Sequence, residues 1–148
     1  MALGATTYKT PNIINLIGED MTAKEGCGVY LPSANGVELA ILASHFPYGI
    51  IVTGTDSLTP GTYPSAIGDA SLELVDQLGC TVQVLISSNG GVYAGELLLI
   101  DTADADGTFV SDSNQSPNVG DWVWGLALTD AAASEQCLMR FQPYLVQA

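Results

Sequence analysis

Between Gly120 and Val146 the chain carries two apolar runs joined by a short polar and alanine turn, Thr129–Ser134. In the first run Trp122, Trp124 and Leu126 fall on one side and Val123, Gly125 and Ala127 on the other. In the second, Cys137, Met139 and Phe141 oppose Leu138 and Arg140. A period of two over this length predicts paired β-strands, because successive side chains on a pleated strand point to opposite faces. Both tryptophans and one of three phenylalanines lie here, so the pair is expected to supply much of the core. Pro143 brings no N–H to a ladder, which predicts an edge position or a bulge after Gln142.

The same reading extends backwards along the chain. Gly26–Leu31 and Asn35–Leu42 read as a hairpin whose turn, Pro32–Gly36, contains an Asn-Gly pair able to take positive φ. Tyr48–Thr53 is a short β-branched run, and Thr59-Pro60-Gly61 marks a turn. Ser71–Val75 alternates weakly. Gly79–Ile86 alternates clearly, with Cys80, Val82, Val84 and Ile86 opposed to Thr81, Gln83 and Leu85. Val92–Ile100 and Thr108–Val110 read as further strands. Ala131-Ala132-Ala133 supports at most one helical turn. Many short strands, sixteen glycines and seven prolines predict an all-β fold: a small antiparallel β-barrel or sandwich.

Met1–Lys24 lacks a clear period but holds Tyr8, Ile13, Ile14, Leu16 and Ile17. These are too few for a core and too many for an inert tail. Residues 1–24 are therefore expected to form either an edge strand on the domain or an extended arm. Such an arm would order on a neighbouring subunit by strand addition or by burying those five side chains. Residues 25–148 are expected to form a single β-domain.

Charge narrows the partners. Sixteen acidic residues face only Lys9, Lys24 and Arg140, a formal charge of −13. Phosphate contacts need clustered Lys and Arg, so nucleic acid is not an expected partner. Anionic membrane surfaces are disfavoured for the same reason, and no run of about 18 apolar residues suggests a spanning helix. A basic leader followed by an apolar core is missing at Met1, so no secretory signal is expected.

Candidate chemistry is sparse. Cys27, Cys80 and Cys137 are odd in number and widely spaced, which predicts free, buried thiols. His45 stands alone in a loop before Pro47, and is read as a surface or packing residue. Asp101–Gly107 resembles a calcium loop only superficially. Aligned on Gly107, its first position is Thr102 and its twelfth is Ser113, where an acidic first ligand and a closing Glu belong. It is read as an acidic turn before Thr108–Val110, with a weak surface calcium site as the lesser alternative. No nucleophile elbow or phosphate loop is present, so neither enzymatic activity nor a cofactor or metal is expected.

Four segments carry a family resemblance: Gly26-Cys27-Gly28-Val29-Tyr30, Gly95-Glu96-Leu97-Leu98-Leu99, Asp106-Gly107-Thr108-Phe109, and Gly125-Leu126-Ala127-Leu128-Thr129-Asp130-Ala131-Ala132-Ala133. Over Gly26–Val146 the chain resembles the small capsid decoration, or cement, proteins of tailed bacteriophages. It departs from their commoner pattern by placing Ser134-Glu135-Gln136 where Gly-Glu or Gly-Asp precedes the last strand. The resemblance implies a homotrimer on the outer capsid surface of the virion, assembled in the host cytoplasm. It would bind the major capsid protein and stabilise the expanded shell, with Tyr8, Ile13, Ile14, Leu16 and Ile17 as the capsid- or neighbour-binding arm. The competing expectation is a β-sandwich binding module, such as an adhesin, a tail-fibre domain or a carbohydrate-binding domain. Tyr48, Tyr63, Tyr93, Trp122 or Trp124 would then stack on sugars.

Overall fold

A computed structural model describes residues 12–14, 19, 21, 23–33, 36–52 and 72–148. Among the described residues, ten strands alternate with turns: β1 (Asn12–Ile14), β2 (Gly28–Ser33), β3 (Gly36–Leu39), β4 (Gly49–Ile51), β5 (Leu72–Val75), β6 (Thr81–Leu85), β7 (Leu97–Ile100), β8 (Phe109–Ser111), β9 (Trp122–Ala127) and β10 (Gln136–Leu145). Among the described residues there is no helix. The fold is all-β, as the alternation predicts.

The strands form two five-stranded antiparallel sheets, ordered β1-β5-β4-β2-β3 and β6-β10-β9-β7-β8. The second sheet curls on itself. Just past β6, Ile86 makes a parallel bridge with Phe109 of β8, and the Ser87 N–H donates to the Phe109 carbonyl at 2.9 Å. Opposite edges of that sheet therefore meet, which protects strand edges that would otherwise invite pairing with another chain.

The first sheet is stitched to both sides of this half-barrel. The Leu85 N–H donates to Gly26 O at 2.9 Å, and the Gly28 N–H donates to Gly107 O at 2.8 Å. Lys24 Nζ and Asp106 Oδ1 add an ion pair at 2.6 Å. The Gly26–Leu42 hairpin is present as β2 and β3, and Gly36 takes the positive φ (+102°) its turn requires; Ala34 and Asn35 lie outside the described residues, as does Thr59-Pro60-Gly61.

Neighbouring residues divide between separate cores, as the pleat demands. Ile50 and Val75 join the main cluster between the sheets, with Val82, Val84, Ile100, Phe109, Trp124, Met139 and Phe141. Their neighbours Ile51 and Leu74 turn to the opposite face and pack with Met21, Cys27, Val29, Val37 and Leu39. A third, small cluster of Leu99, Val110 and Val123 covers the far face of the half-barrel.

One expectation needs correction and two gain detail. The alternation in β9 is real, but both of its faces are covered: Val123 and Trp124 are each fully buried, while Trp122 and Leu126 are only half-buried. Strand β10 is not an edge, since it lies between β6 and β9. The bulge does occur, as a register shift between Phe141 and Tyr144. Beyond Phe141 only β9 pairs with β10, so Pro143 sits where its missing N–H costs no ladder bond. Finally, Val92–Ile100 is not one strand. Gly95 adopts φ +94° and the Glu96 carboxylate accepts the Tyr93 N–H at 2.9 Å. That turn leaves Val92 with only a bridge to Ala131 and delays β7 to Leu97.

Candidate functional site

An apolar rim lies where the loop 41–48 meets the start of β9. Four contacts shape it. The His45 N–H donates to Leu42 O at 3.0 Å, closing a tight turn. His45 Nδ1 accepts the backbone N–H groups of Ile41 and Leu42 at 3.2 and 3.4 Å. The imidazole stacks on Tyr30, with ring centroids 3.6 Å apart and planes 11° from parallel. The Trp122 N–H then donates to Ala43 O at 2.8 Å, strapping the loop to β9.

This bracing holds Phe46 out in solvent, 58% exposed, with its ring edge-on to Trp122 at 5.0 Å. Leu145, the cross-strand partner of Trp122, is exposed as well, and so is Leu42 of the same loop as Phe46. A hollow of about 280 Å³ opens next to the rim, between Leu42–Ser44 and the loop that carries Gln115, Asn118 and Asp121. An exposed aromatic pair, with exposed aliphatic side chains on the same loop and the neighbouring strand and polar loop residues near by, has the composition of a protein-docking surface. Burial lowers the His45 pKa below its ordinary 6.5, against the pull of Glu38. The neutral ring therefore keeps its Nδ1 lone pair for the loop.

Of the expected arm residues, Ile13 and Ile14 lie on β1, paired with Glu73 and Leu72 of β5 at the outer edge of the first sheet. Tyr8, Leu16 and Ile17 lie outside the described residues. The candidate stacking aromatics separate. Trp124 is fully buried against Phe109 and Phe141, which removes it as a ligand platform. Tyr48 packs part-buried on the second core, Tyr93 is exposed, and Tyr63 is outside the described residues.

The acidic turn binds its own protein. Asp101, 2% exposed, accepts Asn89 Nδ2 at 2.7 Å and the Ala103 N–H at 2.8 Å. Asp104 accepts the Ser88 N–H and hydroxyl, both at 3.0 Å. These carboxylates buckle the turn at 87–91 to the turn at 101–107. The three cysteines are free and buried, as predicted.

Sequence reasoning did not single out Phe46 or Leu42. Phe46 falls in a stretch without a period, and its importance comes from its contact with Trp122, more than seventy residues away; Leu42 ends the stretch that reads as a hairpin strand, but β3 stops at Leu39 and leaves Leu42 in the loop. Compared with known proteins, the chain matches no family model and no curated protein.

Proposed function

We propose that this chain is a non-catalytic structural protein of a virion, which binds the outer surface of the major capsid protein lattice and stabilises the expanded shell. The observation that carries the reading is the braced Phe46–Trp122 rim. Its side chains are held outward by backbone hydrogen bonds and by the Tyr30–His45 stack, so little ordering cost remains to be met on docking. Burying such a rim contributes about 25 cal/mol per Å² of apolar surface.

Two further features agree with it. Cross-sheet hydrogen bonds make the body stiff, which suits a brace between shell subunits. The −13 charge repels packaged nucleic acid and favours a neutral or basic protein face. The resemblance over Gly26–Val146 adds a homotrimer, in which three linked contacts multiply a modest single-copy affinity, and an arm built from Tyr8, Ile13, Ile14, Leu16 and Ile17.

The test is co-sedimentation of the full chain with expanded and unexpanded shells of its own virus. Binding to expanded shells, weakened at least about tenfold by Phe46→Asp, is expected, since the substitution places a charge in a desolvated contact. A wild-type chain that pellets with neither kind of shell overturns the reading.

A further inference from the structure

Away from the rim, a second surface feature is built like a ligand site. A cleft of about 560 Å³ runs between the segment Gly90–Tyr93 and the β9–β10 turn that carries Asp130, Ala132 and Glu135. Its floor is the Val92–Ala131 bridge, whose two backbone hydrogen bonds measure 2.8 and 3.0 Å. The floor is therefore rigid, with its backbone groups already paired.

Glycine keeps this cleft open and its walls close. A Cβ on Gly91 would lie 2.7 Å from Ala131 O, and one on Gly90 would lie 2.7 Å from Asn114 Nδ2. Asn114 closes one end by donating to Gly91 O at 3.3 Å. Asp130 Oδ1 accepts the Ala94 N–H at 2.8 Å across the cleft, and Glu135 Oε2 accepts the Ala132 N–H at 3.3 Å. Each carboxylate is thus oriented through one oxygen. Among the described residues, no hydrogen bond runs to the second oxygens, Asp130 Oδ2 and Glu135 Oε1. Tyr93 lines the same cleft and is 70% exposed, its backbone held by Glu96.

We infer that this cleft binds a neutral pyranose sugar, with the Tyr93 ring stacking on the apolar face of the sugar and Asp130, Glu135 and Asn114 taking its hydroxyls. Vicinal hydroxyls are paired donors, which suits oriented carboxylate oxygens, and the Asn114 amide offers both a donor and an acceptor. An exposed aromatic ring beside convergent polar groups complements a ring that is apolar on one face and polar at its rim. The volume falls within the range of small-ligand sites, roughly 300–1,000 Å³. Two carboxylates exclude acidic sugars by like charge. The cleft and the Phe46–Trp122 rim share no residue, so either reading can fail without the other.

The experiment is an amide NMR titration of the full chain with methyl β-D-glucopyranoside, methyl β-D-galactopyranoside and methyl α-D-mannopyranoside, each alone. At least one is expected to give saturable shifts at Tyr93, Ala94, Ala131 and Ala132, with Kd on the order of 1 mM and with Phe46 and Trp122 silent. Tyr93→Ala, an exposed position whose variant keeps the remaining spectrum, should weaken binding about tenfold, whereas Tyr93→Phe should retain it because the ring face is what stacks. The methyl glycoside of glucuronic acid should bind more weakly than its neutral counterpart. No saturable shift with any of the three neutral glycosides overturns the inference, and so do shifts that survive Tyr93→Ala undiminished.

Discussion

A Cβ placed on Gly28 would come within 2.8 Å of the Trp124 ring, so the two sheets meet at a point where one of them carries no side chain. Trp124 cannot retreat, because Phe109 and Phe141 pack against it with centroids at 5.4 and 6.4 Å. Gly28→Ala is expected to destabilise the protein by about 1–3 kcal/mol through overpacking. Among the described residues, buried Trp124 Nε1 finds no hydrogen-bond partner, so Trp124→Phe loses no bond and relieves a desolvated donor. Its cost should fall well below the roughly 3–5 kcal/mol of Trp124→Ala. In urea unfolding, the Gly28→Ala/Trp124→Phe double variant should recover stability relative to Gly28→Ala. Strict additivity would show that the two residues do not contend for the same space.

The thiols should be silent in the folded state. Burial pushes the Cys27 thiol up to about 12, against the opposing pull of Lys24. Burial also raises Cys80 and Cys137. At about pH 8, where an ordinary thiol begins to ionise, iodoacetamide should label none of the three in native protein and all of them in urea. Rapid native labelling of Cys27 would contradict its burial.

Acid should loosen the buckle between the two polar turns. Burial alone would raise the Asp101 carboxyl, but hydrogen bonds from Asn89, Ser87 and the Ala103 and Asp104 backbone outweigh it and hold the pKa below the ordinary 3.8. A depressed carboxyl contributes its full stability above the unfolded value and loses it as pH falls through the folded one. Asn89→Ala is therefore expected to cost about 1.5–3 kcal/mol near neutrality, as for a hydrogen bond to a charged group. The gap between variant and wild type should shrink in urea titrations run near pH 3. An unchanged gap would remove Asp101 as the source.

The rim should respond to milder acid. His45 holds its loop as a neutral acceptor, with Tyr30 stacked on it and Glu38 the nearby charge. Its depressed pKa means that the contribution is complete above the ordinary 6.5 and fades as pH falls through the lower folded value. Protonating Nδ1 turns an acceptor into a donor facing two N–H groups. The Trp122 backbone amide, which bonds Ala43 O, should shift in NMR spectra as pH falls below the ordinary imidazole range, and His45→Ala should abolish that dependence. A titration that persists in His45→Ala would place the sensor elsewhere.

Strand existence was legible because alternation is a local property. Thr81–Leu85 reads as intermediate, buried, intermediate, buried, intermediate in the folded chain, as its residues predict. Pro143 likewise announced its bulge, though not that β10 would run between two partners. Strand order depends on which chain segments pair, and no local pattern encodes that. The break at Gly95 was missed because Val92–Ile100 is apolar enough to pass for one strand, while its turn depends on Glu96 reaching back to the Tyr93 N–H.

Sequence alone determined the class of fold, the burial of three unpaired thiols and the acidic surface, since each follows from residue type and short-range spacing. Tertiary structure alone decided that Trp124 is sealed while Trp122 meets Phe46, that Asp101 is consumed by Asn89, and that Tyr93 stands over a cleft with Asp130 and Glu135. Those relations join residues far apart in the chain. They exist only once sheet order, register and the curl that brings Ile86 to Phe109 have been set.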